Sequence, residues 1–201
     1  YPSLDHLPQT DMLMGNLSYP TIGHGLFAFQ IWLSQQSDEK GFAELKARLA
    51  QQASHPMDRF STAMPIKLAA RALGCHGEAL ALDAACASSL YAIKLACDRL
   101  QRHEVDLALS GAVNHSDNML LHFGFAVLGA HSHSGRSLPF QQEADGLLPS
   151  EGAVVLALCR LEDAIQQNRP ILGVIRGIGL ANDGDRGGLL QPDTQGQSLA
   201  M

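Results

Sequence analysis

The sequence is poor in basic residues and has no long hydrophobic run. It has 14 Lys and Arg against 20 Asp and Glu, a formal net charge of −6 and an isoelectric point near 5.8. This balance argues against the basic surface that binds nucleic acids. No apolar stretch reaches the roughly 18 residues of a membrane-spanning helix, and the first residues do not resemble a signal peptide. We therefore expect a cytoplasmic protein with no membrane span and no nucleic-acid partner.

Cysteines are few, and none is arranged as a metal ligand. The four are Cys75, Cys86, Cys97 and Cys159. No two of them form a Cys-x-x-Cys pair, and no His lies at zinc-ligand spacing from two of them. We predict no metal, no directly bound cofactor and a reducing compartment in which a thiol stays free.

Hydrophobic periodicity and turn residues predict an alternation of strands and helices within 201 residues, enough for one domain. Predicted strands lie at residues 12–15, 79–82, 106–113, 153–158 and 171–178. Predicted helices lie at residues 26–33, 42–52, 64–74, 87–102 and 161–168. Residues 1–11 and the segment around Phe123 and Phe125 are predicted as loops. This order predicts a layered α/β fold with a mixed or mostly parallel sheet.

Cys86 stands between a predicted strand and a predicted helix. Unpaired N–H groups at a helix start favour negative charge, so they stabilise a thiolate and the oxyanion formed when a thioester is attacked. Cys86 is therefore a candidate nucleophile for acyl transfer. A lone cysteine among alanines is also typical of a small core residue, and local physics leaves both interpretations open.

Residues 83–90, Asp-Ala-Ala-Cys-Ala-Ser-Ser-Leu, resemble the active-site motif of β-ketoacyl synthases, in which the cysteine accepts the acyl chain. Three further blocks follow in the order of that family. They are 106–114, then Pro-Phe at 139–140 with Asp-Gly at 145–146 and Glu-Gly at 151–152, and last 160–164, 175–177 and 182–184. The resemblance spans residues 12–201 and implies that Cys86 is the catalytic nucleophile.

Residues 15–20 and 95–100 resemble most the ketosynthase domains of iterative type I polyketide synthases, nearest the enediyne and polyunsaturated-fatty-acid lineage. The family has a thiolase-like fold of αβαβα layers. We expect residues 1–201 to be a partial ketosynthase domain, most of its N-terminal half, without the first strand and the C-terminal half. The absence of an initiator Met agrees with an excised piece of a longer chain.

The resemblance also implies a reaction and its partners. The reaction is decarboxylative Claisen condensation between an acyl group on Cys86 and a malonyl unit, and both thioesters are presented on the phosphopantetheine arm of acyl carrier protein. A homodimer paired near residues 78–82 is implied as well. Phe125 falls where the family places an aromatic residue of the acyl pocket, although an aromatic beside Gly124 is also typical of a core.

The sequence departs from the family pattern in its histidines. The family uses two histidines and a lysine, the histidines belonging to His-Gly-Thr-Gly-Thr and Asn-x-Gly-His motifs, and neither motif occurs in these residues. His131 and His133 are interpreted as loop residues, and Asp145 and Glu151 as turn and ion-pair residues. A thiolase-like acyltransferase that does not decarboxylate, or a non-catalytic partner resembling a chain-length factor, remain as alternatives.

Overall fold

A computed structural model describes residues 9–17, 29–32, 35, 43–45, 47, 62–115, 119–184 and 193–201. Its strands are β1 Thr10–Gly15, β2 Ala79–Leu82, β3 Leu107–Asn114 and β4 Gly152–Leu158. Its helices are α1 Ala63–Ala72, α2 Ser88–Gln101, α3 Met119–Val127, α4 Leu161–Gln166 and α5 Thr194–Ala200. Within this part of the chain, no helix combines the length and the hydrophobicity needed to cross a membrane.

The four strands form one mixed sheet in the order β2-β1-β3-β4. The strands β2, β1 and β3 are parallel, with Leu13 opposite Leu80 on one side and Ser110 on the other. The last strand, β4, runs antiparallel to β3, with Gly111 opposite Val155. The mixed α/β sheet predicted from the sequence is therefore confirmed.

Helices pack on both faces of this sheet. Alternate residues of β1 point to opposite faces, so each helix contacts a different set of β1 side chains. Met12 and Met14 pack against α1, where Ile66 is buried. Leu13 faces the other way and packs against α2 around Ala96. The central strand is thus buried on both faces, as expected for parallel strands.

The buried face of α2 consists mostly of small residues, and the sequence prediction of this face is right only for Leu100. The helical spacing of apolar residues predicts a buried face of Leu90, Ile93, Cys97 and Leu100. The buried residues are Ser88, Ala92, Ala96 and Leu100. Leu90 is instead 55% exposed. Small side chains let a helix lie close to a sheet, so the largest apolar residues did not mark the packed face.

The far end of α2 is fixed by buried charges. Arg99 Nε lies 2.5 Å from the carboxylate of Asp11, whose side chain is fully buried in β1. The same carboxylate accepts the backbone N–H of Glu78 at 2.7 Å. Arg160 donates to the carbonyl oxygen of Leu100 at 3.1 Å and so satisfies a carbonyl at the helix C-terminus. A buried charge without a partner would destabilise the fold. The contacts of Arg99 with Asp11 therefore hold the end of α2 beside the start of the sheet.

Several sequence predictions of single elements are confirmed. The helix predicted at 64–74 is α1, with Pro65 in its first turn and Gly74 at φ +70° just after its end. The spacing of four residues between Lys94 and Asp98 predicts an ion pair along the helix, and the pair forms at 2.6 Å. The sequence Asn-Asp-Gly at 182–184 predicts a turn, and there Asn182 accepts the backbone N–H of Gly184 at 2.7 Å.

Other predictions are wrong. The segment predicted as a loop around Phe123 and Phe125 is the helix α3, and residues 171–178 form no strand. The first strand begins at Thr10, inside the predicted N-terminal loop, and α5 was not predicted.

The two predicted helices before residue 62 lie largely outside the described residues. Residues 29–32 and 43–45 are helical, in agreement with the predictions at 26–33 and 42–52. The first segment is apolar on most faces, which predicts a core helix. Its Ile31 and Trp32 are 45% and 46% exposed, so that expectation of burial is wrong for these two residues.

Candidate active site

Cys86 lies in a tight turn between the end of β2 at Leu82 and the start of α2 at Ser88. Ala85, immediately before it, has a left-handed backbone with φ of +50°. For a residue with a Cβ this conformation costs about 1–2 kcal/mol. The turn is therefore strained at the residue that precedes the candidate nucleophile.

Side chains on both sides of the turn hold it in this conformation. The Ser88 hydroxyl accepts the N–H of Ala84 at 2.9 Å and donates to the carbonyl oxygen of Ala85 at 2.6 Å. The Asp83 carboxylate accepts the N–H of Ala85 at 3.1 Å. These contacts offset the backbone strain and fix the direction in which the chain enters α2.

Gly15 at the end of β1 lets the start of α2 lie directly on the sheet. A Cβ added at Gly15 would stand 2.8 Å from the carbonyl carbon of Ser88 and 2.9 Å from the backbone nitrogen of Ser89. These separations are shorter than van der Waals contact, so only glycine fits here without a shift of the helix.

The first turn of α2 has backbone donors without a partner among the described residues. Ala87, at the N-cap position, gives the helix no side-chain cap. The N–H groups of Ala87 and Ser88 donate to carbonyl oxygens within the turn, whereas those of Cys86, Ser89 and Leu90 donate to no described residue. Free N–H groups at a helix start attract negative charge and can stabilise an oxyanion. The turn therefore has the donors that thioester attack requires.

The four cysteines are free thiols, and Cys86 is the exposed one among them. Burial raises the pKa of the Cys75 thiol, and the negative charge of Asp11 raises it further. Burial also raises the pKa of the Cys97 thiol, with a smaller contribution from Asp98. The raised pKa values disfavour the thiolate form of both side chains. Cys97 is predicted from the sequence to be a packing residue, and its half-buried thiol agrees with that prediction.

Phe125 lies on α3 and is half-buried. Its ring makes an edge-on contact with the imidazole of His131, at a centroid distance of 6.1 Å. The sequence prediction placed Phe125 in an acyl pocket. The contact with His131 is compatible with a pocket wall and with simple packing, so the pocket role remains a prediction.

The loop after α3 is closed by one carboxylate. Asp145 accepts the Ser132 hydroxyl at 2.6 Å and the Ser134 N–H at 2.7 Å, and these bonds lower the pKa of Asp145. Glu151 lies 3.3 Å from the imidazole of His115. The turn role predicted for Asp145 is confirmed. The ion-pair role of Glu151 remains a prediction, with the imidazole of His115 as its neighbour.

His131 and His133 lie in the same loop, as predicted. The His131 imidazole is 3.0 Å from the carbonyl oxygen of His122, and their rings stack at 5.9 Å. Among the described residues no group of three or more His, Cys, Asp or Glu side chains could hold a metal ion.

Sequence prediction missed two residues that shape the nucleophile turn, Gly15 and Ser88. Gly15 was recognised only as the end of a strand, although a glycine at that point is a signal of close backbone approach. Ser88 follows Cys86 by two residues in the motif, but its side-chain contacts depend on the unusual backbone of Ala85, which the sequence does not reveal.

Residues 31–164 match the family model described as "Beta-ketoacyl synthase, N-terminal domain". One protein of the phenolphthiocerol/phthiocerol polyketide synthase of Mycobacterium tuberculosis is 40% identical over 125 residues, 62% of this chain and 8% of that protein. Component PikAIII of the pikromycin polyketide synthase of Streptomyces venezuelae is 41% identical over 129 residues, 64% of this chain and 8% of that protein. The chain thus spans less than a tenth of these relatives.

Comparison with solved structures shows a ketosynthase fold. PfaC, described as a keto synthase–chain length factor, is 30% identical with a TM-score of 0.76, over 96% of this chain and 21% of that one. The ketosynthase from module 6 of the bacillaene synthase of Bacillus subtilis 168 is 26% identical with a TM-score of 0.68, over 94% of this chain and 29% of that one. The predicted thiolase-like fold and the resemblance to polyketide synthase ketosynthases are confirmed. The chain belongs to the β-ketoacyl synthase family and matches its N-terminal domain.

Proposed function

We propose that Cys86 is the acyl-accepting nucleophile of a decarboxylative ketosynthase that acts in polyketide or polyunsaturated fatty acid biosynthesis. The observation that carries this proposal is the exposed Cys86 thiol on a strained turn, next to N–H groups at the start of α2 that donate to no described residue. A thiol in that environment can attack a thioester and exchange its acyl group. The family of the chain supports the same chemistry.

The first half-reaction loads Cys86. The thiolate attacks the carbonyl carbon of an acyl thioester on the phosphopantetheine arm of acyl carrier protein. The new carbon–sulfur bond to Cys86 forms as the bond to the carrier sulfur breaks. The carrier leaves as a thiol, having taken up the proton that Cys86 lost. Free N–H groups of the turn stabilise the tetrahedral oxyanion between these two events.

The second half-reaction makes the carbon–carbon bond. Malonyl-carrier protein loses CO₂, and the resulting enolate carbon attacks the carbonyl of acyl-Cys86. The bond to Cys86 breaks, the thiolate is regenerated, and the product on the carrier is a β-ketoacyl chain longer by two carbons. The family assigns decarboxylation and charge stabilisation to two histidines and a lysine. Because both histidine motifs are absent from these 201 residues, we assign condensation to the full-length protein.

Phe125 is proposed to line the pocket for the acyl chain. Its half-buried aromatic ring on α3 supports this role, because acyl pockets are walled by apolar side chains. Replacing Phe125 with Ala in the full-length protein is expected to shift loading toward longer or branched acyl groups. Phe123, 70% exposed on the same helix, provides the matched control. An unchanged acyl preference in Phe125→Ala would refute the pocket role.

A homodimer is proposed through the outer edge of β2. In the described sheet β2 pairs with β1 alone, so its other edge is open to a second copy. Native mass spectrometry of the full-length protein is expected to show an even number of chains, and a monomer at micromolar concentration would refute this. A cytoplasmic setting is also proposed, because a reducing compartment keeps Cys86 free.

A non-catalytic role like that of a chain-length factor is the second candidate, since one similar structure carries that term in its description. Such partners typically replace the nucleophile, and the retained, exposed Cys86 favours the ketosynthase. The experiment that tests the proposal supplies the full-length protein with acyl-carrier protein and ¹³C-labelled malonyl-carrier protein. We expect a labelled β-ketoacyl product and release of CO₂, both lost in Cys86→Ala and both retained in Cys159→Ala. A product that forms equally in Cys86→Ala would refute the proposal.

A further inference from the structure

The Ser88 hydroxyl lies inside the turn that presents Cys86. It accepts the N–H of Ala84 at 2.9 Å and donates to the carbonyl oxygen of Ala85 at 2.6 Å. The residue is 5% exposed, so water has little access to these two bonds. One hydroxyl thereby bridges the two residues that immediately precede the nucleophile.

The backbone that this hydroxyl bridges is in an unfavourable conformation. Ala85 has a φ of +50°, which its Cβ disfavours, and such outliers persist only where surrounding contacts hold them. The carbonyl oxygen of Ala85 accepts both the hydroxyl and the N–H of Ser88. Without the hydroxyl, Ala85 is freer to relax to a negative φ, and the Cα–Cβ bond of Cys86 would then leave the backbone in another direction.

Ser88 does not act as an ordinary helix cap. The cap position of α2 is Ala87, and the Ser88 side chain points back to the turn instead of bonding to an N–H farther along the helix. Serine often bonds locally to its own backbone. Here both hydrogen-bond partners of the Ser88 hydroxyl, Ala84 and Ala85, belong to the strained turn beside Cys86.

We propose that Ser88 is a positioning residue, whose hydroxyl holds Ala85 in its left-handed conformation and so aims the Cys86 thiol at the thioester carbonyl. Because acyl transfer to Cys86 is the proposed function, this role rests on it. Misplacement of a reacting group by about 1 Å can cost about a hundredfold in rate, so a weakened turn should slow acyl transfer without changing thioester affinity.

The test uses the full-length protein in four forms: native, Ser88→Ala, Ser88→Ala combined with Ala85→Gly, and Ser198→Ala. Ser198 is the control, because it is exposed on α5 and its hydroxyl bonds to no residue in the described part of the chain. Octanoyl-pantetheine thioester serves as the acyl donor. The rate of acylation of Cys86 is followed by peptide mass over a range of donor concentrations, and hydrogen exchange is followed at the Ala84 amide.

We expect Ser88→Ala to lower the maximal acylation rate by about tenfold, with the half-saturating donor concentration unchanged. Ala85→Gly should restore most of that rate, because glycine adopts a positive φ freely. Ser198→Ala should stay within about twofold of native, the size of a change with no lost contact. An unchanged rate in Ser88→Ala, or no recovery with Ala85→Gly, would overturn the positioning role.

Two further measurements separate positioning from general loosening and from failure of the proposed function. The half-buried Cys75 and Cys97 thiols should react with iodoacetamide at the native rate in Ser88→Ala, and faster reaction would show general loosening and overturn the proposal. If native protein takes no acyl group on Cys86, the proposed function fails. Hydrogen exchange at the Ala84 amide then tests the contact of the Ser88 hydroxyl by itself. Faster exchange in Ser88→Ala supports the role of this hydroxyl in the turn, and unchanged exchange overturns it.

Discussion

Replacing Gly15 with Ala should displace the start of α2 and impair acyl transfer at Cys86. The added Cβ would stand 2.8 Å from the carbonyl carbon of Ser88 and 2.9 Å from the Cβ of Ser88. Non-bonded carbon atoms rest at about 3.5–4.0 Å, so the helix start must retreat by about 0.7 Å or more. Overpacking of this kind costs about 1–3 kcal/mol in the free energy of unfolding. A shift of about 1 Å at a reacting group can also slow reaction by about a hundredfold.

We therefore expect Gly15→Ala to slow acylation of Cys86 by at least about tenfold. The urea midpoint of this domain, followed through exposure of the Cys97 thiol, should fall as well. Gly152→Ala is the control, because Gly152 is the first residue of β4 and a Cβ added there meets nothing within 4 Å among the described residues. If Gly15→Ala kept both the native rate and the native midpoint, the close packing of strand and helix would not position the nucleophile.

Iodoacetamide at pH 8 should label Cys86 before Cys75 and Cys97, because burial raises the pKa of both other thiols and only the thiolate reacts; preferential labelling of Cys75 would contradict the assignment. Ser132→Ala should raise the pKa of Asp145 toward its ordinary value, as followed by carbon NMR, because the Ser132 hydroxyl is the largest cause of its lowering. Since that pKa is lowered in the folded state, the contribution of Asp145 to stability is present above its unfolded pKa and lost as pH falls through the folded one. An unchanged pKa in Ser132→Ala would show that this bond is not what holds the loop carboxylate ionised.

The sheet and the place of the nucleophile could be predicted from the sequence because both depend on local patterns. Apolar runs ended by turn residues marked β2 and β4, and Pro65 and Gly74 marked the ends of α1. The motif around Cys86 placed the thiol between strand and helix, where the structure has it. These features need no knowledge of which elements touch each other.

The sequence predictions were wrong where contacts between distant parts of the chain determine the secondary structure. Residues 171–178 are rich in β-branched residues, yet a strand exists only when it pairs with another strand, and the structure shows no such pairing for them. The helix α3 was hidden by Gly124 and its aromatic residues, whose intrinsic helix propensity is low. The left-handed backbone of Ala85 lies where the start of α2 packs on Gly15, a contact between residues far apart in the sequence, so no local pattern reveals it.

The central claim is that Cys86 carries the acyl group, and one measurement tests it most directly. Full-length protein is mixed with a labelled acyl-carrier protein, quenched in acid and digested, and the masses of the cysteine peptides are recorded. We expect the peptide that contains Cys86 to gain the mass of the acyl group in the native protein, and no peptide to gain it in Cys86→Ala. An acyl group found on Cys75, Cys97 or Cys159 in the native protein, with Cys86 unmodified, would contradict it.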